Sequence, residues 1–217
     1  MFKKCLTKTD LQIKTKLFLS IVMISFSVSG IFAQTKIVYG GLSFPNGDFG
    51  DDDYGKNIIS KEGKLGGAGL GFGVGFKYLQ PLSIPNLNWF VSAEFNYNGL
   101  KSSVIDDAED DLTSQGVDIN TIDIKYPKYF NIPVMAGVNY SLAELSPGVV
   151  LFLEGGLGVN CRFISDFAVE QTDGNYELEY DFDNSFTFAY QIGGGLKIQD
   201  KYIVALNYYG LGSDKLR

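Results

Sequence analysis

The chain has 217 residues, no histidine, two cysteines and a formal net charge of −7, with 26 glycines, 17 phenylalanines and 13 tyrosines against only six prolines. The acid excess argues against a nucleic-acid partner, since a phosphate backbone selects for clustered Lys and Arg and nothing basic clusters beyond the first residues. Without histidine, Ser-His-Asp hydrolysis, histidine-dependent proteolysis or lipid deacylation and histidine-ligated metal sites are excluded. No other nucleophile-and-base pair is visible, so no enzyme and no cofactor is expected.

Residues 1–33 read as a secretory signal for the Sec pathway. Lys3, Lys4, Lys8, Lys14 and Lys16 form its basic region, Leu17 to Phe32 its apolar region, and Ala33 precedes Gln34 at the processing point. Cys5 lies before the apolar region and so is no lipoprotein cysteine, and Cys161 alone cannot form an internal disulfide. The remaining 34–217 suffice for one domain.

Seven segments then alternate with a period of two. The first runs from Thr35 to Phe44. The second, Leu65 to Tyr78, sets Ala68, Leu70, Phe72, Val74, Phe76 and Tyr78 against Gly67, Gly69, Gly71, Gly73, Gly75 and Lys77. This is a β-strand with one large apolar face and one nearly empty face. In a soluble sandwich the second face would carry polar side chains into water, so a glycine face points to a narrow, crowded interior. The third puts Trp89, Val91, Ala93, Phe95 and Tyr97 opposite Ser92, Glu94, Asn96 and Asn98. The fourth is expected over Ile124 to Tyr140, the fifth over Leu151 to Phe163, the sixth over Phe186 to Ile198 and the seventh over Tyr202 to Tyr208.

Connections after the first, third and fifth segments are long and acidic, and those after the second, fourth and sixth are short. Long external loops alternating with short periplasmic turns mark an outer-membrane barrel whose first strand runs outward. The expected fold is therefore all-β: a small transmembrane antiparallel up-and-down β-barrel, apolar residues on lipid and small or polar ones in the lumen, with seven strands visible and eight expected. Tyr78, Trp89, Tyr126, Tyr129, Phe130, Tyr140, Phe163, Phe186, Tyr202, Tyr208 and Tyr209 lie towards strand ends and suit two interfacial girdles. Bacterial barrels have an even strand number, so either an eighth strand is missing or one is miscounted; a truncated reading frame is the preferred account, and 34–217 is read as a barrel domain lacking its last strand.

YFNIPVMAGVNY, from Tyr129 to Tyr140, begins with the Tyr-aromatic-x-Ile-Pro-aliphatic pattern found on a middle strand of the PorT-like outer-membrane β-barrel family of Bacteroidota, small barrels of the OmpA/OmpX kind. The chain also resembles that family in its Ala33-Gln34 processing point, in LFLEGGLGVN from Leu151 to Asn160 and in FAYQIGGGLKI from Phe188 to Ile198. The resemblance implies location in the outer membrane and a link to protein secretion, since the founding member is implicated in assembling a secretion system. Members commonly end in one further strand with a terminal aromatic, whereas this chain ends GLGSDKLR.

Lys77, Glu94, Glu154 and Lys197 fall on the expected lumen face, with Arg162 nearer the outer mouth; paired, they would form a polar plug. Asp48 to Gly55 reads DFGDDDYG, and Asp51, Asp52 and Asp53 could gather oxygen ligands for Ca2+, although the EF-hand spacing is absent. Neither the P-loop pattern nor a dinucleotide fingerprint opening a helix occurs among the glycines. The expected function is that of a non-enzymatic barrel acting through its loops as an interaction or assembly component. The alternative is a small porin or gated channel. Outer-membrane lipid and lipopolysaccharide, and an outer-membrane or periplasmic protein, are the expected partners.

Overall fold

A computed structural model of the chain describes residues 34–52, 66–171, 177–180, 182 and 184–212. The expected signal segment, 1–33, lies outside them, as do Leu65, Asp53 and Asp173. Seven strands form one antiparallel sheet: β1 (Thr35–Ser43), β2 (Ala68–Pro81), β3 (Leu87–Leu100), β5 (Tyr129–Ser146), β6 (Val149–Ile164), β9 (Ser185–Ile198) and β10 (Tyr202–Gly210), hydrogen-bonded in that order. The expected segments all appear, and several run longer than their apolar alternation suggested. β5 and β6, for example, meet at Pro147 and Gly148, where Gly148 takes φ +78° and reverses the chain. The β9–β10 turn is equally tight, with Gln199 and Asp200 both at positive φ, the conformation that primed hairpin turns require.

The sheet curls into a half-barrel whose ends are β1 and β10. Its stagger is visible in the register. Paired residues lead from Thr35 through Leu79, Phe90, Gly137, Gly156 and Gln191 to Tyr209. Yet Tyr209 shares a hydrogen-bond acceptor with Tyr39, further along β1 than Thr35. Such displacement is what tilted strands produce as a sheet wraps around an axis.

The two faces of the sheet differ as the alternation requires. Leu70, Phe72, Val74 and Phe76 of β2 are exposed on the outside, while Gly71, Gly73 and Lys77 are buried within. Outer aromatic rings make a continuous band, with Phe72 against Tyr97, Tyr97 against Phe130 and Phe130 against Phe95 at centroid separations of 5.4 to 5.9 Å. Tyr78 and Trp89 pair at 5.6 Å towards the other end. Three rings assigned to the girdles lie elsewhere. Tyr129 is fully buried and Tyr209 half-buried on the lumen side, and Tyr126 belongs to an outer subdomain.

That subdomain replaces what the sequence suggests are solvated loops. Ser102–Ser114 is a helix, α1, because Val104, Ala108 and Leu112 recur every four residues and so share one buried face. It ends at Gly116, whose φ of +85° is the left-handed conformation glycine tolerates. A second antiparallel sheet joins β4 (Ile122–Lys125), β7 (Phe167–Gln171) and β8 (Glu177–Tyr180) in that order. The expected fourth strand is thus two elements: Ile124 pairs with Val169 in the second sheet, and the barrel strand begins at Tyr129. Pro127, which has no N–H to continue a ladder, lies between them.

Candidate functional site: a filled lumen under an outer cap

Three layers of side chains fill the interior. In the layer nearest the short turns, Lys77 of β2 reaches across to Glu154 of β6, with Nζ 2.5 Å from Oε1 and both side chains nearly inaccessible. Gln191 Nε2 donates to the same oxygen at 2.6 Å, and Asn139 Nδ2 donates to Oε2 at 3.1 Å. The Asn207 amide, turned nitrogen first, adds a donor at 3.2 Å. The ammonium also sits over the Phe90 ring at 4.8 Å and the Tyr39 ring at 5.8 Å. Burying two charges in a dry interior is costly unless each remaining lone pair and proton is used, and here the carboxylate is met from four strands.

Glu94 is placed in a separate arrangement. Its Oε2 accepts from the Tyr39 hydroxyl at 3.0 Å and from the Tyr209 hydroxyl at 2.9 Å, donors carried by the two end strands. The glycines of β2 make room for this filling. A Cβ at Gly73 would stand 2.8 Å from Glu94 Oε1, and one at Gly75 would stand 2.5 Å from the Tyr39 ring. The glycine face is therefore the imprint of large polar groups projecting from β1 and β3.

Arg162 lies in the outer layer. Its Nε donates to Asn131 Oδ1 at 3.2 Å, as does Asn160 Nδ2 at 2.9 Å, and its terminal nitrogen donates to the Gly212 carbonyl at 3.2 Å. The guanidinium lies 5.3 Å from the centroid of Phe49. Phe49 comes from the short 3-10 turn Gly47–Phe49, which Asn46 caps by accepting from Gly47 N and which Gly47 permits by taking φ +62°. The Phe49 ring meets Tyr129 edge-on at 5.1 Å, and the Tyr129 hydroxyl donates to the Gly66 carbonyl at 2.7 Å. An aromatic plug thus closes the mouth above the arginine. The fifth expected lumen charge, Lys197, does not join the network: it pairs with Asp200 in the β9–β10 turn at 2.9 Å, and that cation holds the Asp200 carboxyl below its ordinary range.

The first long connection is fastened to the rim. Lys101 Nζ binds Asp52 Oδ1 at 2.7 Å and the Gly50 carbonyl, Ser103 Oγ donates to Asp52 Oδ2 at 2.9 Å, and Gly67 N donates to the Asp51 carbonyl at 2.9 Å. The Asp52 carboxylate, one of the three considered for Ca2+, is therefore engaged by an amine and a hydroxyl. Among the described residues no group of three or more acidic or cysteine side chains has metal-binding geometry. In the cap, the Tyr126 hydroxyl donates to Glu109 Oε1 of α1 at 2.9 Å while its ring lies 6.3 Å from Phe167 of β7. Partial burial, aided by the Glu109 carboxylate, pushes the Tyr126 phenol above its ordinary range.

A lipid-facing antiparallel sheet with a polar, filled interior defines the class of outer-membrane β-barrels. The family model for the outer membrane protein beta-barrel domain matches residues 18–215, and the chain belongs to that family. This supports location in the outer membrane, and the family is generally non-enzymatic. No curated protein and no solved structure matches the chain. Of the five charges named from the sequence, Lys77, Glu94, Glu154 and Arg162 make the interior contacts described and Lys197 does not, while Tyr39, Tyr209, Gln191 and Phe49 were not named as site residues. Tyr39, Tyr209 and Gln191 occupy inward positions of the alternation and could have been read from it; Phe49 lies in a connection and carries no periodic signal.

Proposed function

We propose that this chain is a non-conducting outer-membrane barrel that works through its cap of α1, β4, β7 and β8 as an interaction or assembly component. The observation that carries this reading is the occupied lumen: a buried ion pair across the barrel, a second carboxylate bonded from both end strands, and a phenylalanine seated over an arginine at the mouth. A small barrel has an interior only wide enough for side chains, and here they are hydrogen-bonded to one another rather than lining a channel. The acidic cap buries Val104, Ala108 and Leu112 of α1 and Phe167 and Val169 of β7, which a mere solvated loop does not need. The resemblance to PorT-like barrels supports a role connected with protein secretion, in which the cap or the periplasmic rim would engage another envelope protein.

Planar-bilayer recording on the purified, refolded chain tests the reading. The expected trace has no steady current steps. Reproducible unitary steps that persist over a range of voltages would instead favour the porin or gated-channel alternative.

A further inference from the structure

Between two hydrogen-bonded rungs of the lumen lies one that is not. Towards the short turns the Tyr39 hydroxyl donates to Glu94 Oε2. Towards the mouth Ser43 Oγ donates to Asn98 Oδ1 at 3.2 Å, while Asn98 Nδ2 donates to the Gly69 carbonyl at 2.9 Å. The middle rung pairs Gly41 of β1 with Gly73 of β2, and Gly73 with Asn96 of β3. Its two glycines leave a niche on the inner face of the sheet. A Cβ on Gly41 would meet nothing within 4 Å, whereas one on Gly73 would collide with Asn96 Oδ1 and stand 2.8 Å from Glu94 Oε1. Two oxygens from β3 are thus laid over the bare backbone of Gly73, beside open space.

Neither oxygen has a donor among the described residues. Asn96 is only 7% exposed, yet its amide makes no hydrogen bond with them. Asn131, its partner across the ladder, instead accepts through Oδ1 from Asn160 and Arg162. Glu94 takes both tyrosine hydroxyls on Oε2, which leaves Oε1 without one. No lysine is spent on it either: among the described residues Lys77 pairs with Glu154, Lys101 with Asp52, Lys125 with Glu170 and Lys197 with Asp200. A carboxylate and an amide enclosed in this way cost free energy unless a positive or donating group meets them. Water would supply donors but no charge.

We propose that the niche binds one monovalent metal cation, Na+ or K+, through Glu94 Oε1 and Asn96 Oδ1, with water completing its shell. Hard cations take carboxylate, carbonyl and water oxygens, and both protein ligands are of that kind. The single carboxylate fixes the charge. A monovalent ion neutralises it, whereas a divalent ion would leave an excess positive charge in an interior of low dielectric. Glu154 is already matched by Lys77 and adds nothing to this balance. The niche is built from β1, β2 and β3 alone, and it depends neither on the cap nor on a conducting path.

The test uses the full chain refolded in detergent micelles and unfolded with urea in mixtures of NaCl or KCl with N-methylglucamine chloride. Ionic strength is held constant, so screening does not change. An ion bound only by the folded state should lower the unfolding equilibrium constant about tenfold for each tenfold rise in Na+ or K+ once the site is saturated. Phe72→Leu, on the lipid face, should keep this slope. Glu94→Gln removes the charge, and Gly41→Leu fills the open side of the niche while keeping both ligands; each should flatten the slope, and its loss in either places the ion in the niche. Gel mobility of unheated samples shows which variants fold, and the unsubstituted chain is decisive by itself. Equal stability in all three salts would overturn the proposal, as would a slope that survives in both Glu94→Gln and Gly41→Leu.

Discussion

Removing Lys77 should harm the barrel more than neutralising Glu154, although the two form one ion pair. Lys77→Met leaves Glu154 charged, buried and held by the neutral donors of Gln191 and Asn139; breaking a buried pair in this way costs about 3–5 kcal/mol. Glu154→Gln strands the ammonium instead, but that ammonium still lies over the rings of Phe90 and Tyr39. Cation–π attraction in a desolvated site returns about 0.5–2 kcal/mol, so the loss should be smaller by that amount. With both substitutions no charge remains unpaired, and the double variant should be more stable than Lys77→Met alone, since neutral replacement of a buried pair is often nearly free of cost. Urea titration of the refolded protein in micelles, followed by gel mobility and by the single tryptophan, Trp89, measures all four species. Additive losses in the double variant would show that the two groups are not coupled, and a larger loss for Glu154→Gln would refute the role given to the rings.

Gly71→Leu should destabilise the fold by about 1–3 kcal/mol, because its Cβ would collide with the Tyr97 backbone carbonyl and press on the Asn98 amide at 2.5 Å, while Phe72→Leu on the lipid face should cost less than about 1 kcal/mol; the same urea titration decides the order, and the reverse order would invalidate the assignment of faces. Phe72→Arg should cost roughly 2–4 kcal/mol if the ring sits near the midplane. Asp52→Ala should make the first long connection more protease-sensitive to the same degree with Ca2+ or with a chelator, because the lost partners are Lys101 and Ser103; a difference that depends on Ca2+ would point to a metal site instead. A tag inserted near Asp110 in α1 should be reached by antibody on intact cells and one near Pro147 should not, and the opposite result would invert the topology.

The strands of the barrel were legible in the sequence because each residue's face is fixed by strand geometry alone. Once Phe72 is placed outside, Gly71 and Gly73 must be inside, whatever the rest of the chain does. The same rule put Lys77, Glu94, Glu154 and Arg162 in the lumen. What it could not supply was distance along and across the barrel. That Lys77 meets Glu154, that Glu94 meets two tyrosines instead, and that Lys197 turns to Asp200 at the rim all depend on stagger, and stagger is set by the summed register of six ladders. The cap was hidden for a related reason. Its helix buries only Val104, Ala108 and Leu112 among many acids, and β4 and β7 gain their ladder from each other across more than forty intervening residues. Local composition marks such segments as solvated. Only the tertiary fold brings the connections together, through the β4–β7 ladder and the contact of Tyr126 with Phe167.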